Sequence, residues 1–237
     1  MAKNDLKLLG GWFSPFALRV RIALNLKGVE YEVIEETLNP KSDLLLKSNP
    51  VHKKIPVLLL ADKAICESAI IVEYIDEVWT NAPFILPQNA YDRANARFWV
   101  AYIDEKWVPA LKSILRAEDD DDEAKKPHIE VAEEVFERME EAFNKGSEGK
   151  ALFGGDTIGF VDIGLGSFLS WIRVVEKING RKLLDETKHP GLIQWAQTFS
   201  AHPAVNGLLP EPDKLIEISK AFKQNLMAAA AAAAATK

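Results

Sequence analysis

Asn49-Pro50-Val51-His52-Lys53-Lys54-Ile55-Pro56-Val57-Leu58-Leu59-Leu60, then a polar break at Asp62-Lys63, then Ala64-Ile65-Cys66-Glu67-Ser68, is the stretch around which the rest of the chain arranges itself. It reads as loop, strand, turn, strand and helix start. Val57 to Leu60 is a short apolar run bounded by a proline and a turn, and from Ala69 onward apolar residues recur at Ile70, Ile71, Tyr74, Ile75 and Val78 with helical spacing. Glu67 and Ser68 therefore stand at a helix N-terminus, where unpaired amides and the positive end of the helix dipole suit an anion and Ser68 adds a hydroxyl donor. Pro56 permits a cis peptide bond at low cost, and a cis bond would turn the Ile55 amide and carbonyl sideways, toward an extended peptide. The residues alone admit two readings: a site for something with a backbone, an amino-acid end and a second carboxylate, or an ordinary hairpin followed by a capped helix.

Upstream, Leu6 to Gly10 is a short strand, and Ser14-Pro15 opens a helix through about Lys27 that Gly28 closes. Glu30 to Glu35 reads as a second strand and Ser42 to Lys47 as a brief helix. The order βαβ, α, ββα is a thioredoxin-like domain over residues 1–83. A linker follows at 84–92, with Pro83 just before it and Pro87 inside it, then an all-helical domain at 93–227 and an Ala-rich tail at 228–237. Helical spacing covers Asp92 to Arg116, Ile129 to Asn144, Phe160 to Ile178, Gly191 to Ala201 and Asp213 to Met227. Pro109 predicts a bend in the first of these. The segment from Ile163 is apolar almost all round, the mark of a buried central helix, and Asp162 reads as its structural cap.

The 237 residues, 48% of them hydrophobic with mean hydropathy −0.08, suffice for a full core. A single cysteine, Cys66, excludes an intramolecular disulfide framework and CxxC redox or zinc chemistry, and fits a reducing compartment. The polar first residues and the lack of a long apolar run predict neither signal peptide nor membrane span, so the expected location is the cytosol. Net charge is −6, with 10 basic and 11 acidic groups in residues 1–83, which disfavours a nucleic-acid partner. The six acids Glu118 to Glu123 read as a solvated loop between helices.

Ser14 and Tyr31 are the only hydroxyl side chains in the first 36 residues, and Tyr31 falls in a strand. Ser14 is thus the one candidate to donate a hydrogen bond to an anion above the first helix. On the residues alone Ser14 can also be no more than the N-cap of that helix; were the anion a thiolate of reference pKa about 8.5, stabilising it by about two units would correspond to roughly 2.7 kcal/mol, within reach of one charged hydrogen bond plus a helix end. The four histidines are scattered, so no Ser/His/Asp nucleophile is expected.

Ser-Asn-Pro-x-x-Lys-Lys-Ile-Pro-Val-Leu followed by Glu-Ser resembles the glutathione-binding half of glutathione transferases. With Ser14-Pro15-Phe16 upstream and Phe153-Gly154-Gly155-Asp156 to Asp162 downstream, the chain is most similar to the plant tau class from residue 6 to about residue 225. The resemblance implies that Glu67 and Ser68 hold the γ-glutamyl end of glutathione, that the Ile55 backbone pairs with its cysteinyl unit, and that Lys41 and Lys54 meet its glycine carboxylate. It implies Ser14 as the catalytic donor to sulfur, no metal, and a homodimer paired through charges on Arg93, Arg97, Glu73, Asp76 and Glu77. Related thiol transferases carry a cysteine where Ser14 stands, which argues for conjugation over disulfide exchange. An apolar electrophile site between the domains is expected from Trp12, Phe16, Val108, Lys112, Leu115, Trp171 and Phe222, each of which reads equally as core. The expected activity is addition of the glutathione thiolate to hydrophobic electrophiles in detoxification and stress response, with glutathione peroxidase activity as a further expectation. The alternative is a non-catalytic carrier of hydrophobic ligands. The family usually has Ser or Thr where Gly159 stands, so only the Asp162 half of a capping box is expected.

Overall fold

The computed structural model describes residues 6–37, 39–118 and 121–235. Its first part is a four-stranded sheet in the order β2-β1-β3-β4, built from β1 (Leu6–Gly10), β2 (Glu32–Glu35), β3 (Val57–Leu60) and β4 (Lys63–Cys66). β1 runs parallel to β2 and antiparallel to β3, with Leu8 opposite Leu58 and Leu9 opposite Val57. The period of two sends these neighbours to opposite faces. Leu8 and Leu58 join the main core beneath α1 (Pro15–Leu26) and α3 (Ser68–Val78), while Leu9 and Val57 meet Leu45 of α2 (Asp43–Ser48) on the other face.

Local chemistry sets the ends of α1. Ser14 is its N-cap, accepting from the Ala17 amide at 3.2 Å with Pro15 at the first helical position, and Gly28 takes φ +62° just past its end. Lys27, at the C-cap, is fully buried. Its Nζ lies 2.7 Å from Asp76 Oδ1 and bonds the carbonyls of Asn81 and Pro83, while Asp76 accepts from the amides of Ile85 and Leu86. One buried ion pair thus fastens α1, α3 and the linker together. Asp76 is therefore an internal anchor, not a surface charge available to a second copy.

The helical part begins at Ala90, inside the stretch read as linker. α4 (Ala90–Tyr102) passes through a π-helical turn, Ile103–Trp107, into α5 (Val108–Arg116), so Pro109, where a bend was expected, falls in the first turn of α5 directly after a wider turn. α6 (Asp122–Gly146) starts seven residues earlier than expected: Asp121 caps it through the Ala124 amide, and Asp122 and Glu123 sit in the first turn, where the dipole favours acids. The acidic run is thus partly helix start rather than loop, with Asp119 and Asp120 outside the described residues.

The segment read as one central helix is two: α7 (Phe160–Gly166), every residue of it buried, and α8 (Leu169–Asn179), divided at Ser167-Phe168. α9 (Pro190–Ala201) and α10 (Pro212–Ala235) follow, and the Ala-rich tail continues α10 as helix to Ala235, as alanine's propensity favours, with Thr236 and Lys237 outside the described residues. A single apolar cluster joins Leu8, Val20 and Ile75 of the sheet part to Trp107, Phe136, Phe168 and Trp195 of the helical part.

Asp162 has no exposure and accepts four hydrogen bonds: the amides of Phe153, Gly154 and Gly159 at 2.8 Å each, and Trp195 Nε1 at 2.7 Å. Burial pushes its carboxyl above the ordinary aspartate value, against the four donors that pull it down. The expected half of a capping box is present as the Gly159 bond. A Cβ at Gly159 would sit 3.0 Å from the Gly154 Cα, so close backbone approach accounts for glycine there.

Candidate functional site

Where β3 enters from the Lys54-Ile55-Pro56 loop and α3 begins, a cleft of about 150 Å³ opens between the two parts of the chain. It is lined by Phe16, Lys54, Ile55, Pro56, Glu67, Ser68 and Lys112. The Ile55–Pro56 bond is cis. Glu67 is the N-cap residue of α3 with φ +72°, in the left-handed region that a side chain rarely adopts, and this turns its half-exposed carboxylate outward, 3.9 Å from His52 Nε2. Ser68 is buried beneath it, its Oγ accepting from Arg19 Nη1 at 3.3 Å. Lys53 faces solvent, and its carbonyl accepts from Lys41 Nζ at 2.8 Å, which holds Lys41 beside Lys54.

Ser14 lies two residues before Phe16 and is 6% exposed. Its oxygen is occupied as acceptor by the Ala17 amide, so the hydroxyl proton is the part left to offer outward. Next to it, the Phe13 carbonyl accepts from Trp171 Nε1 at 3.0 Å, and the Phe13 ring meets Trp12 and Phe222 edge-on at 6.0 and 5.8 Å. Trp12, Trp171 and Phe222 thus gather around Phe13, a residue that sequence reasoning passed over, and Phe16 packs edge-on against Phe168. The rest of the expected apolar set divides. Val108 is buried in the core, Lys112 reaches the polar cleft, and Leu115 lines a separate cavity of about 200 Å³ with Ile114, Ile178 and Ile216.

Arg19, about one turn into α1 from Ser14, is 1% exposed. Its guanidinium bonds both carboxylate oxygens of Asp104, the Ser68 hydroxyl and the Gly164 carbonyl, and stacks near Phe16 and Phe168 at 5.3 and 5.2 Å. Asp104, carried by the π-helical turn, had no signal in the sequence beyond lying near Pro109. Among the described residues no group of His, Cys, Asp or Glu is placed to hold a metal ion, and no helix is long and apolar enough to cross a membrane.

Residues 4–77 match the family model described as glutathione S-transferase, N-terminal domain, and residues 98–203 match glutathione S-transferase, C-terminal domain. The chain is 54% identical to Glutathione S-transferase U18 of Arabidopsis thaliana over 93% of its own length and 96% of that protein's. It is also similar to the crystal structure of a tau-class glutathione S-transferase from mango, Mangifera indica, with TM-score 0.87 and 56% identity over 91% of this chain and 97% of that one. The chain belongs to the plant tau class of glutathione S-transferases. A rice member of the class, solved in complex with glutathione, resembles this tau-class transferase with TM-score 0.85 and 35% identity, covering 95% of this chain and 99% of that chain. The thioredoxin-like first domain and helical second domain expected from sequence are those of the family.

Proposed function

We propose that the cleft binds glutathione and that Ser14 holds its sulfur as thiolate for addition to hydrophobic electrophiles. The observation that carries this reading is the convergence of Lys54, Ile55, Glu67 and Ser68 on one cleft, with Phe16 from the Ser14 helix on its wall. Ser68 and the α3 amides take the γ-glutamyl carboxylate, and Glu67 takes the ammonium. The Ile55 backbone pairs with the cysteinyl unit, and Lys54 with Lys41 beside it meets the glycine carboxylate. The Ser14 hydroxyl donates to sulfur, which favours the thiolate over the thiol and so raises the fraction of competent nucleophile. The electrophile rests among Trp12, Phe13, Phe16, Trp171 and Phe222, whose rings offer an apolar surface beside the sulfur. Reduction of organic hydroperoxides, a role in detoxification and a cytosolic setting for its single free thiol belong to the same reading.

Steady-state turnover of glutathione with a panel of aryl halides, hydroperoxides and disulfides tests it. Conjugation of aryl halides without disulfide exchange is expected. Retained binding of an apolar dye without turnover of any electrophile would favour the carrier instead.

We also infer a homodimer, on grounds other than the charges. Arg97 pairs with Glu73 inside the chain, Arg93 bonds the carbonyls of Pro87 and Gln88, and Asp76 is buried. Beside the Arg97–Glu73 pair, however, Ile70 and Phe98 remain 56% and 58% exposed on α3 and α4, an apolar surface suited to a second copy. A monomeric mass by light scattering at micromolar concentration would remove this idea.

A further inference from the structure

The cleft carries a cation that glutathione, bound as proposed above, does not use. Lys112 stands on α5, in the helical domain, and reaches the same cleft as Lys54 and Ser68. Desolvation, and then the neighbouring charges of Lys54 and Arg116, push its ammonium below the ordinary lysine value. The one carboxylate that favours its charged form is Asp104, whose two oxygens are already bonded by Arg19 at 2.9 and 2.7 Å. Lys112 forms no salt bridge among the described residues, and Glu67, the other carboxylate of the cleft, has His52 as its basic neighbour. A cation set against other cations, with its nearest carboxylate spent elsewhere, gains most from an incoming anion. Both carboxylates of glutathione are assigned on the opposite wall, which leaves Lys112 facing the second substrate.

We propose that Lys112 selects electrophiles bearing an anionic group, a carboxylate or sulfonate on an aromatic body, over neutral electrophiles of equal reactivity. This rests on the reading of the cleft as a glutathione site. The aromatic body meets the Phe16 ring, while the anion meets the ammonium and offsets the charges of Lys54 and Arg116 that disfavour it. Charge complementarity of this kind acts as discrimination between partners more than as raw affinity.

The test compares a neutral chlorodinitrobenzene with the chlorodinitrobenzoate that adds one carboxylate para to the chlorine. In both, the sulfur electron pair forms the C–S bond, chloride leaves with the C–Cl pair, and the thiol proton goes to solvent. The readout is the ratio of kcat/KM, carboxylate over neutral, each corrected for the uncatalysed rate. Lys112→Met is expected to lower the ratio about tenfold, Lys112→Glu to lower it further, and Lys112→Arg to keep it within about twofold. Added salt should narrow the ratio in the parent and not in Lys112→Met. A ratio that stays put in both Met and Glu variants overturns the proposal. So does a rise in the KM for glutathione that matches the loss, because Lys112 would then serve the glycine carboxylate. Calorimetric binding of the two conjugates, with and without the added carboxylate, asks the same question without turnover: equal affinities in the parent overturn the proposal even if the catalytic reading itself fails.

Discussion

Arg19 and Asp104 meet as a two-pronged ion pair, Nη1 at 2.9 Å from Oδ2 and Nη2 at 2.7 Å from Oδ1, and this pair ties the helix that begins at Ser14 to the π-helical turn of the second domain. The two partners differ in burial: the Arg19 side chain is 1% exposed and that of Asp104 33%. Removing one partner of such a pair costs according to what the other is left facing. A stranded Asp104 turns to water. A stranded Arg19 cannot.

Asp104→Ala should therefore destabilise by about 2–3 kcal/mol, and Arg19→Met by roughly 1 kcal/mol less, since a flat apolar chain fills the slot between Phe16 and Phe168. Urea denaturation of the two variants checks the order, and Arg19→Met proving the worse of the two would refute the burial argument. Glutathione KM should rise in Asp104→Ala, because the freed guanidinium can turn fully onto Ser68.

Ser14→Ala removes the bond to the Ala17 amide and the donor proposed for sulfur. Loss of the cap costs about 1 kcal/mol, too little to unfold the chain. Turnover at about pH 6.5 should nonetheless fall on the order of 100-fold while glutathione affinity stays within severalfold, since the donor serves mainly the thiolate. Thiolate absorbance of bound glutathione, titrated in parent and mutant, is the direct measurement. An unchanged thiol pKa would sink the role given to Ser14.

The sequence disclosed features whose cause is local. Ser14-Pro15 marks the helix start because capping chemistry sits within three residues, and Val57 to Leu60 marks β3 because a proline and a turn bound a short apolar run. Arg19–Asp104 was hidden by 85 residues of separation, and the Arg97–Glu73 pair was misread as intermolecular because charge alone does not reveal which surface answers it. The break between α7 and α8 was hidden for another reason: both sides are apolar, so periodicity runs through it. Gly164 and Gly166 of α7 stand where a methyl would meet Val100 and Phe199, a demand of packing that periodicity does not display.

His189 gives a pH dependence. It is 3% exposed, its Nδ1 accepts from the Asp185 amide, and burial lowers its pKa against the opposing pull of Glu140 and Glu137. A depressed folded-state value means that the unfolded chain binds more protons just below the unfolded pKa. The stability from neutral His189 is thus present above about pH 6.5 and is lost as pH falls through the folded value. The urea midpoint should drop between about pH 7.5 and 5.5, with a smaller drop in His189→Asn. Equal drops in both would assign the effect elsewhere, with His202, whose pKa burial also lowers, as the next suspect.

Asp162→Asn separates a structural carboxylate from a merely buried one. Four donors converge on two oxygens with no exposure, and asparagine keeps one oxygen while placing an NH₂ group against donors that it cannot satisfy. Burial alone predicts the reverse, since it raises the carboxyl's pKa and a neutral amide avoids the cost of a buried charge at neutral pH. The donors should win, because at least two would be left unpaired at about 1–3 kcal/mol each. Asp162→Asn should thus lose about 3–5 kcal/mol of stability, with the loop from Phe153 to Gly159 the first to open. Hydrogen exchange of the Gly154 and Gly159 amides, read beside the urea midpoint, checks both parts. A variant as stable as the parent, with those amides still protected, would show that desolvation outweighs the four hydrogen bonds.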